Sequence, residues 1–484
     1  MQTLRPNIGF VLMIVLLALV AAGKAVLYDT LDPDCFWHLR VADQIQRDGI
    51  GPIVDDISFA SIKTPWTPYS WLAELGMKGI WSIGGYRAAI IMQALTTAAF
   101  VALIALCAYE MTAGGNPMGV IVSTVMAMFL SLPYLSFRPV TFVIVMLAVC
   151  AWLLLRDRNL DERSRAVWWI VPITAIATNC HFYSVLVPIW ITALLIGAIR
   201  EGRGVDHYGS LLAATLLACC ATPMLPGMIN SLWEYQFNDP MVSGGIVAEF
   251  QPFWTSPIAV AIVVLWLGLL IWNREKLRPG DWMWVLASLV LYMRLGRFAP
   301  IFAMVASPYL AMSIPAMSGK ALARKSVTAA IACILVIGMV RIGMEFPSAN
   351  TSMDQWLNRH GPDTPGYPTA AADFVANRVG SGRIINEFTW GGYLSWKLGD
   401  KYQVLLDGRT QLYTPQFWQT MYLSEPENAR PALGSTQASA AILPTEHSRF
   451  RSILLDMGWQ SAYRDDRAEV LIAPVGFTDA KDGD

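Results

Sequence analysis

The sequence predicts an α-helical polytopic membrane protein with about eleven transmembrane helices, juxtamembrane helices in its first outer loop and a C-terminal soluble α/β domain. Composition is the first reason: of 484 residues, 55% are hydrophobic and only 15% charged, and the mean hydropathy of +0.44 lies outside the range of a soluble enzyme. Recurrent apolar runs are the second reason, and an abrupt change to short alternating patterns after Met344 is the third. The net charge of −1 and the absence of any basic tract give no electrostatic footprint for nucleic acid.

The first apolar run, Ile8 to Tyr28, carries only Lys24 as a charge. It is too long for a removable signal and lacks a small-residue cleavage site, so it reads as an anchor. The following runs are Tyr86 to Met111, Met118 to Leu135, Val140 to Leu155, Val167 to Thr178 and Tyr183 to Ile199. Ser210 to Met224, Pro257 to Trp272, Trp282 to Met293, Pro300 to Ile314 and Val327 to Gly343 complete the set. Several are short for a hydrocarbon layer of about 30 Å.

Short cytoplasmic loops carry the excess of Lys and Arg, which orients the spans. Arg5 precedes the first run; Arg156, Arg158, Arg163 and Arg165 follow the fourth, Arg200 and Arg203 the sixth, Arg274, Lys276 and Arg278 the eighth, and Lys320, Arg324 and Lys325 the tenth. The N-terminus is therefore expected in the cytoplasm. The polar mass collects outside, in loops 29–85 and 225–256 and in the tail 345–484, which divides the chain into a membrane module over 1–344 and an extracytoplasmic domain over 345–484.

The first outer loop opens on Leu31-Asp32-Pro33-Asp34-Cys35-Phe36-Trp37-His38-Leu39-Arg40. Carboxylates beside lipid are costly, so this cluster waits for a membrane-bound ligand. Asp32 suits an N-cap and Pro33 the first helical position, and a loosely amphipathic helix should run from there to Asp48-Gly49. A second interfacial helix is expected from Ser70 to Ile83, with Trp71, Leu72, Leu75, Ile80 and Trp81 on its apolar side. In the tail, Thr369 to Val379 and His447 to Met457 read as helices. Arg383 to Phe388, Tyr402 to Asp407, Trp459 to Tyr463 and Ala468 to Ala473 read as strands. All seven cysteines precede Met344, six in or near apolar runs, so no disulfide framework staples the tail.

Four pieces of this layout resemble the GT-C superfamily of polyprenyl-phosphate-dependent glycosyltransferases, distantly including the catalytic subunit of oligosaccharyltransferase. The first is Asp32-Pro33-Asp34 with His38-Leu39-Arg40 in a juxtamembrane helix. The second is Gly49 to Ser58, including Asp55-Asp56, followed by Trp66 and Trp71-Leu72-Ala73-Glu74-Leu75. The third is Thr178-Asn179-Cys180-His181-Phe182, which breaks a pair of apolar runs. The fourth is Trp390-Gly391-Gly392-Tyr393-Leu394 with Leu406-Asp407-Gly408-Arg409 in the tail. The resemblance implies a hexosyl or pentosyl transferase of the bacterial inner membrane. Its partners would be a polyprenyl-phosphate-linked sugar donor, membrane lipids, and an acceptor that is a glycan, lipid or protein.

Such a transfer needs a base for the acceptor's proton and a cation for the departing phosphate. By resemblance a carboxylate of the first loop is the base. Asp34 is preferred because Asp32 is consumed as a cap, though the choice between them stays open. His38 lies one helical turn from Asp34 and could orient it or, with it, hold a divalent cation such as Mg or Mn; whether a metal is needed is open. Arg294 and Arg297 are candidates for the phosphate, with Arg40, His181 and Glu249 as further substrate contacts. Asp55-Asp56 reads first as a turn, and Asp407 with Arg409 as a structural pair. A polymerase or ligase of lipid-linked glycans, or a flippase for lipid-linked saccharides, is the alternative. A transporter, however, predicts internal repeats and mid-membrane carboxylates, and the sequence shows neither.

Overall fold

The computed structural model describes residues 7–29, 31–237, 248–316, 324–359 and 366–474, so Arg5, Val247 and Lys320 lie outside the described residues. Two compact units divide the chain. One comprises Met1–Asp29, Arg87–Leu225 and Gly245–Phe346, and the other Thr30–Tyr86, Pro226–Gly244 and Pro347–Asp484.

The first unit is helical throughout. Each of the apolar runs falls on a helix in the expected order, from Ile8–Leu27 to Lys325–Glu345. Among the described residues, six helices are long and apolar enough to cross a membrane: Ile8–Leu27, Trp71–Met111, Pro117–Tyr134, Pro139–Asn159, Phe182–Arg200 and Lys325–Glu345. Others are shorter, such as Pro257–Trp272 with 16 residues and Ala299–Ser313 with 15. At 1.5 Å per residue such helices reach about 24 Å, less than the hydrocarbon thickness. Ala299–Ser313 is nonetheless buried along almost its whole length, at the core of this unit. By contrast, Lys325–Glu345 buries little beyond Ile331 and Leu335 and leaves its other apolar residues for lipid.

The second unit contains the soluble α/β layer. Its strands are β1 (Gly382–Asn386), β2 (Tyr402–Val404), β3 (Ala440–Pro444), β4 (Gln460–Arg464) and β5 (Ala468–Ile472). They form one sheet in the order β2-β1-β3-β5-β4. β1 pairs in parallel with β2 and β3, while β5 runs antiparallel to β3 and β4. Ile384, Ile385, Ile442, Leu443, Val470 and Leu471 are fully buried along it. The sequence pattern finds four of these strands and misses β3, because Ala-Ala-Ile-Leu-Pro is apolar on both faces and shows no alternation. The first outer loop belongs to the same unit: the Phe59 N–H donates to Val404 O at 3.0 Å and Val404 N–H to Ile57 O at 3.1 Å, so the loop covers the free edge of β2.

The loop's helices form where the sequence places them. Pro33–Asp48 starts from the Asp32 cap and stops at Gly49, whose φ of 92° is the left-handed conformation that favours glycine. Its apolar face is spent on protein: Phe36 meets the edges of Tyr393 at 5.2 Å and Tyr367 at 5.5 Å, and Trp81 at 6.2 Å. The helix Trp71–Met111 is broken at Gly84 and Gly85, the latter at φ 58°, so the amphipathic part that carries Glu74 ends before the apolar run begins.

Candidate active site

In the second unit the candidate base is set by one helix start and one glycine. The Asp32 side chain accepts a hydrogen bond from the Asp34 N–H at 2.9 Å, which is the predicted cap. Asp34, half-buried, projects its carboxylate against the backbone of Gly408: a β-carbon on Gly408 would collide with Asp34 Oδ1 and lie 2.7 Å from Trp37 Nε1. Gly392 is needed in the same way, since a β-carbon there would stand 2.8 Å from Pro33 O. The two glycine-bearing tail motifs are therefore the seats of the acidic helix, a role their sequence did not reveal.

Behind Gly408, Arg409 is completely buried between two carboxylates, donating to Asp407 Oδ2 at 2.6 Å and to Asp55 Oδ1 at 2.7 Å. Asp55 also closes the expected turn by accepting from Ile57 N–H and Ser58 N–H, at 3.2 and 3.1 Å. Burial alone would raise its pKa; the Arg409 guanidinium holds it below the ordinary value instead. This triad clamps the first loop to the tail. Arg40 is spoken for by the tail as well, donating to Asp400 at 2.6 Å.

His38 is buried, and its Nδ1 lies 3.0 Å from Oε1 of Glu74, which is also buried. Burial pushes the Glu74 carboxyl up to about 8, only partly opposed by Arg409. Sequence reasoning gave Glu74 no role, although a carboxylate on the apolar side of an amphipathic helix was the available signal. Among the described residues no three His, Cys, Asp or Glu side chains gather around one point where an ion could sit. Asp34 and His38 stand one helical turn apart on the acidic helix, with His38 Nδ1 engaged by Glu74.

The first unit brings together three of the other candidates. Glu249 receives Arg138 Nη1 at 3.4 Å from each carboxylate oxygen. Burial raises its pKa, but Arg138 and Arg297 outweigh that and hold it below the ordinary glutamate value. Arg297 lies over the rings of Phe250 at 5.1 Å and Tyr183 at 6.0 Å. His181 is buried in the break between the helices Ile170–Thr178 and Leu186–Arg200, with its ring 4.7 Å from that of Tyr183 and its Nδ1 accepting from the Tyr183 N–H at 3.2 Å. Asn179 caps this break by donating to Ala175 O and Ala221 O at 2.9 and 2.8 Å. Arg294 is exposed at the end of the helix Pro279–Arg294. Arg138 was missed; with Arg294 and Arg297 it is one of the arginines at span ends where the charge rule expects none.

No protein-family model matches the chain, and no curated protein matches it in sequence. Solved structures do. The crystal structure of ArnT from Cupriavidus metallidurans bound to undecaprenyl phosphate superposes with a TM-score of 0.55 at 12% identity, over 97% of this chain and 99% of that one. The Archaeoglobus fulgidus oligosaccharyltransferase tethered to an acceptor peptide containing the NVT sequon gives 0.56 at 12% identity, over 89% of this chain and 68% of that one. The same oligosaccharyltransferase in complex with Zn and sulfate gives 0.53 at 11% identity and the same coverage. At such low identity the likeness is one of architecture, and it extends over nearly the whole chain: this protein shares its fold with ArnT and with the archaeal oligosaccharyltransferase.

Proposed function

We propose that the protein is a membrane glycosyltransferase that moves a sugar from a polyprenyl-phosphate donor to an extracytoplasmic acceptor. The reading puts Asp34 as the general base and assigns the donor phosphate to a guanidinium group. The observation that carries it is the half-buried Asp34 carboxylate seated on Gly408 at the start of an ordered helix, in a chain with the fold of lipid-linked sugar transferases. In the reaction, the acceptor group gives its proton to Asp34 as its lone pair forms the new bond to the sugar's anomeric carbon. The bond from that carbon to the phosphate oxygen breaks, and its electron pair leaves with the phosphate. Guanidinium N–H groups match the charge that develops there. The charge alternation favours an inner-membrane orientation with the N-terminus in the cytoplasm and the tail outside.

The test is to incubate purified protein with a panel of polyprenyl-phosphate sugars. Donor consumption that disappears in Asp34→Asn is expected; full turnover in that variant would reassign the base. A polymerase or ligase of lipid-linked glycans shares the same features and is separated by the length of the product.

A further inference from the structure

Glu74 stands out as a buried group that the proposed reaction does not use. Only 2% of it is exposed, and of its two carboxylate oxygens Oε1 meets His38 Nδ1 at 3.0 Å while Oε2 is buried with no hydrogen-bond partner among the described residues. Among the described residues no Lys or Arg forms a salt bridge with it. The nearby cation Arg409 is already divided between Asp55 and Asp407, and Lys78 on the same helix pairs with Asp43. Burying a half-satisfied carboxyl costs several kcal/mol, and an apolar residue of the same size would fill this space without that cost.

Among the described residues the carboxyl's hydrogen-bond partner is His38, which sits on the face of the acidic helix that also carries Asp34, one turn earlier. His38 is itself only 6% exposed and its ring lies tilted by 32° against that of Trp37, with centroids 3.5 Å apart. Trp37 Nε1 in turn shares the surface of Gly408 with Asp34 Oδ1. Histidine, Trp37, Gly408 and the candidate base therefore form one packed sequence of contacts, with Glu74 at its buried end.

We propose that Glu74 is a positioning residue of the transferase site: through Nδ1 it fixes the tautomer and ring orientation of His38, and through His38 the geometry around Asp34. A carboxyl on one imidazole nitrogen decides which nitrogen keeps the proton, as orienting carboxylates do for catalytic and metal-bound histidines. The inference rests on the transferase reading, but its first test does not.

The chain has five histidines, so His38 can be assigned in a 15N-histidine spectrum of the full-length protein in nanodiscs by comparison with His38→Gln. Wild type should show a single tautomer for His38. Glu74→Gln, which keeps a hydrogen-bonding group at Nδ1, should retain one tautomer, and Glu74→Leu should give an averaged signal. A wild-type His38 already averaged between tautomers would overturn the proposal whether or not a donor has been found.

The second test uses turnover. Loss of an orienting partner typically costs about 10- to 100-fold in activity, so Glu74→Leu should lower kcat by that factor with the donor KM within about threefold. Where Glu74→Leu does not fold, Glu74→Ala combined with His38→Gln decides: acting through His38, Glu74→Ala should add nothing to the loss caused by His38→Gln alone. Losses that multiply would show that Glu74 acts independently of His38 and would overturn the assignment. Absence of turnover with every donor in wild type would count against the transferase reading and leave the tautomer result standing.

Discussion

The Oδ1 of Asp34 occupies the space that a β-carbon on Gly408 would need. Asp34 is at the start of the first outer loop and Gly408 is deep in the tail, yet the position of each is defined by the other. Gly408→Ala should displace the carboxylate and Trp37 together. Overpacking of this kind costs about 1–3 kcal/mol, and donor turnover should fall more than tenfold. Kinetics on the purified variant, paired with its melting curve, check both.

Asp32 and Asp34 should separate cleanly by experiment. Asp32→Ala removes a cap worth about 1 kcal/mol and should lower thermal stability with partial loss of turnover, whereas Asp32→Asn, which still caps, should be nearly silent. Asp34→Asn should melt like wild type and turn over nothing. The reverse pattern would make Asp32 the base.

Arg409 should tolerate no substitution. Arg409→Met leaves Asp55 and Asp407 buried without their cation, a loss of about 3–5 kcal/mol, and Arg409→Lys should restore little because a single ammonium cannot bridge both carboxylates in a planar fork. Chemical denaturation of the variants measures the ranking.

Glu74 gives a pH signature of defined sign. Its folded pKa of about 8 lies above the ordinary glutamate value of 4.5. The folded state therefore binds a proton that the unfolded state has lost, and the associated stability is complete below about pH 4.5 and disappears as pH rises towards 8. Wild type should lose stability across that interval and Glu74→Gln should lose less, so the variant should gain on wild type at pH 8. Melting temperatures at pH 5 and pH 8 test this.

Glu249 should behave in the opposite sense. Arg138 and Arg297 hold its pKa below the ordinary value, so the stability it contributes is present above that value and is lost as the pH falls through the folded pKa. Glu249→Gln should flatten the acid side of the stability profile of wild type. Arg138→Ala should move the acid transition up towards the ordinary glutamate range.

The sequence by itself determined what local chemistry and periodicity determine. Hydrophobic run length placed the helices, Asp32-Pro33 and Gly49 bounded the acidic helix, and alternation marked four of the five strands. Asp55 as a turn residue and Asp407 with Arg409 as a pair were also legible, since each depends on neighbours a few residues away. Only the tertiary structure decided that Asp55 would share Arg409, that Gly408 would seat Asp34, that Glu74 would meet His38, and that Arg138 would join Arg297 at Glu249. The reason is physical. His38 and Glu74 are 36 residues apart and Asp55 and Arg409 are 354 apart, and no periodicity or cap links positions so far apart. They meet because the loop completes the sheet edge at β2 and buries Phe36 among tail aromatics, a consequence of packing the whole chain at once.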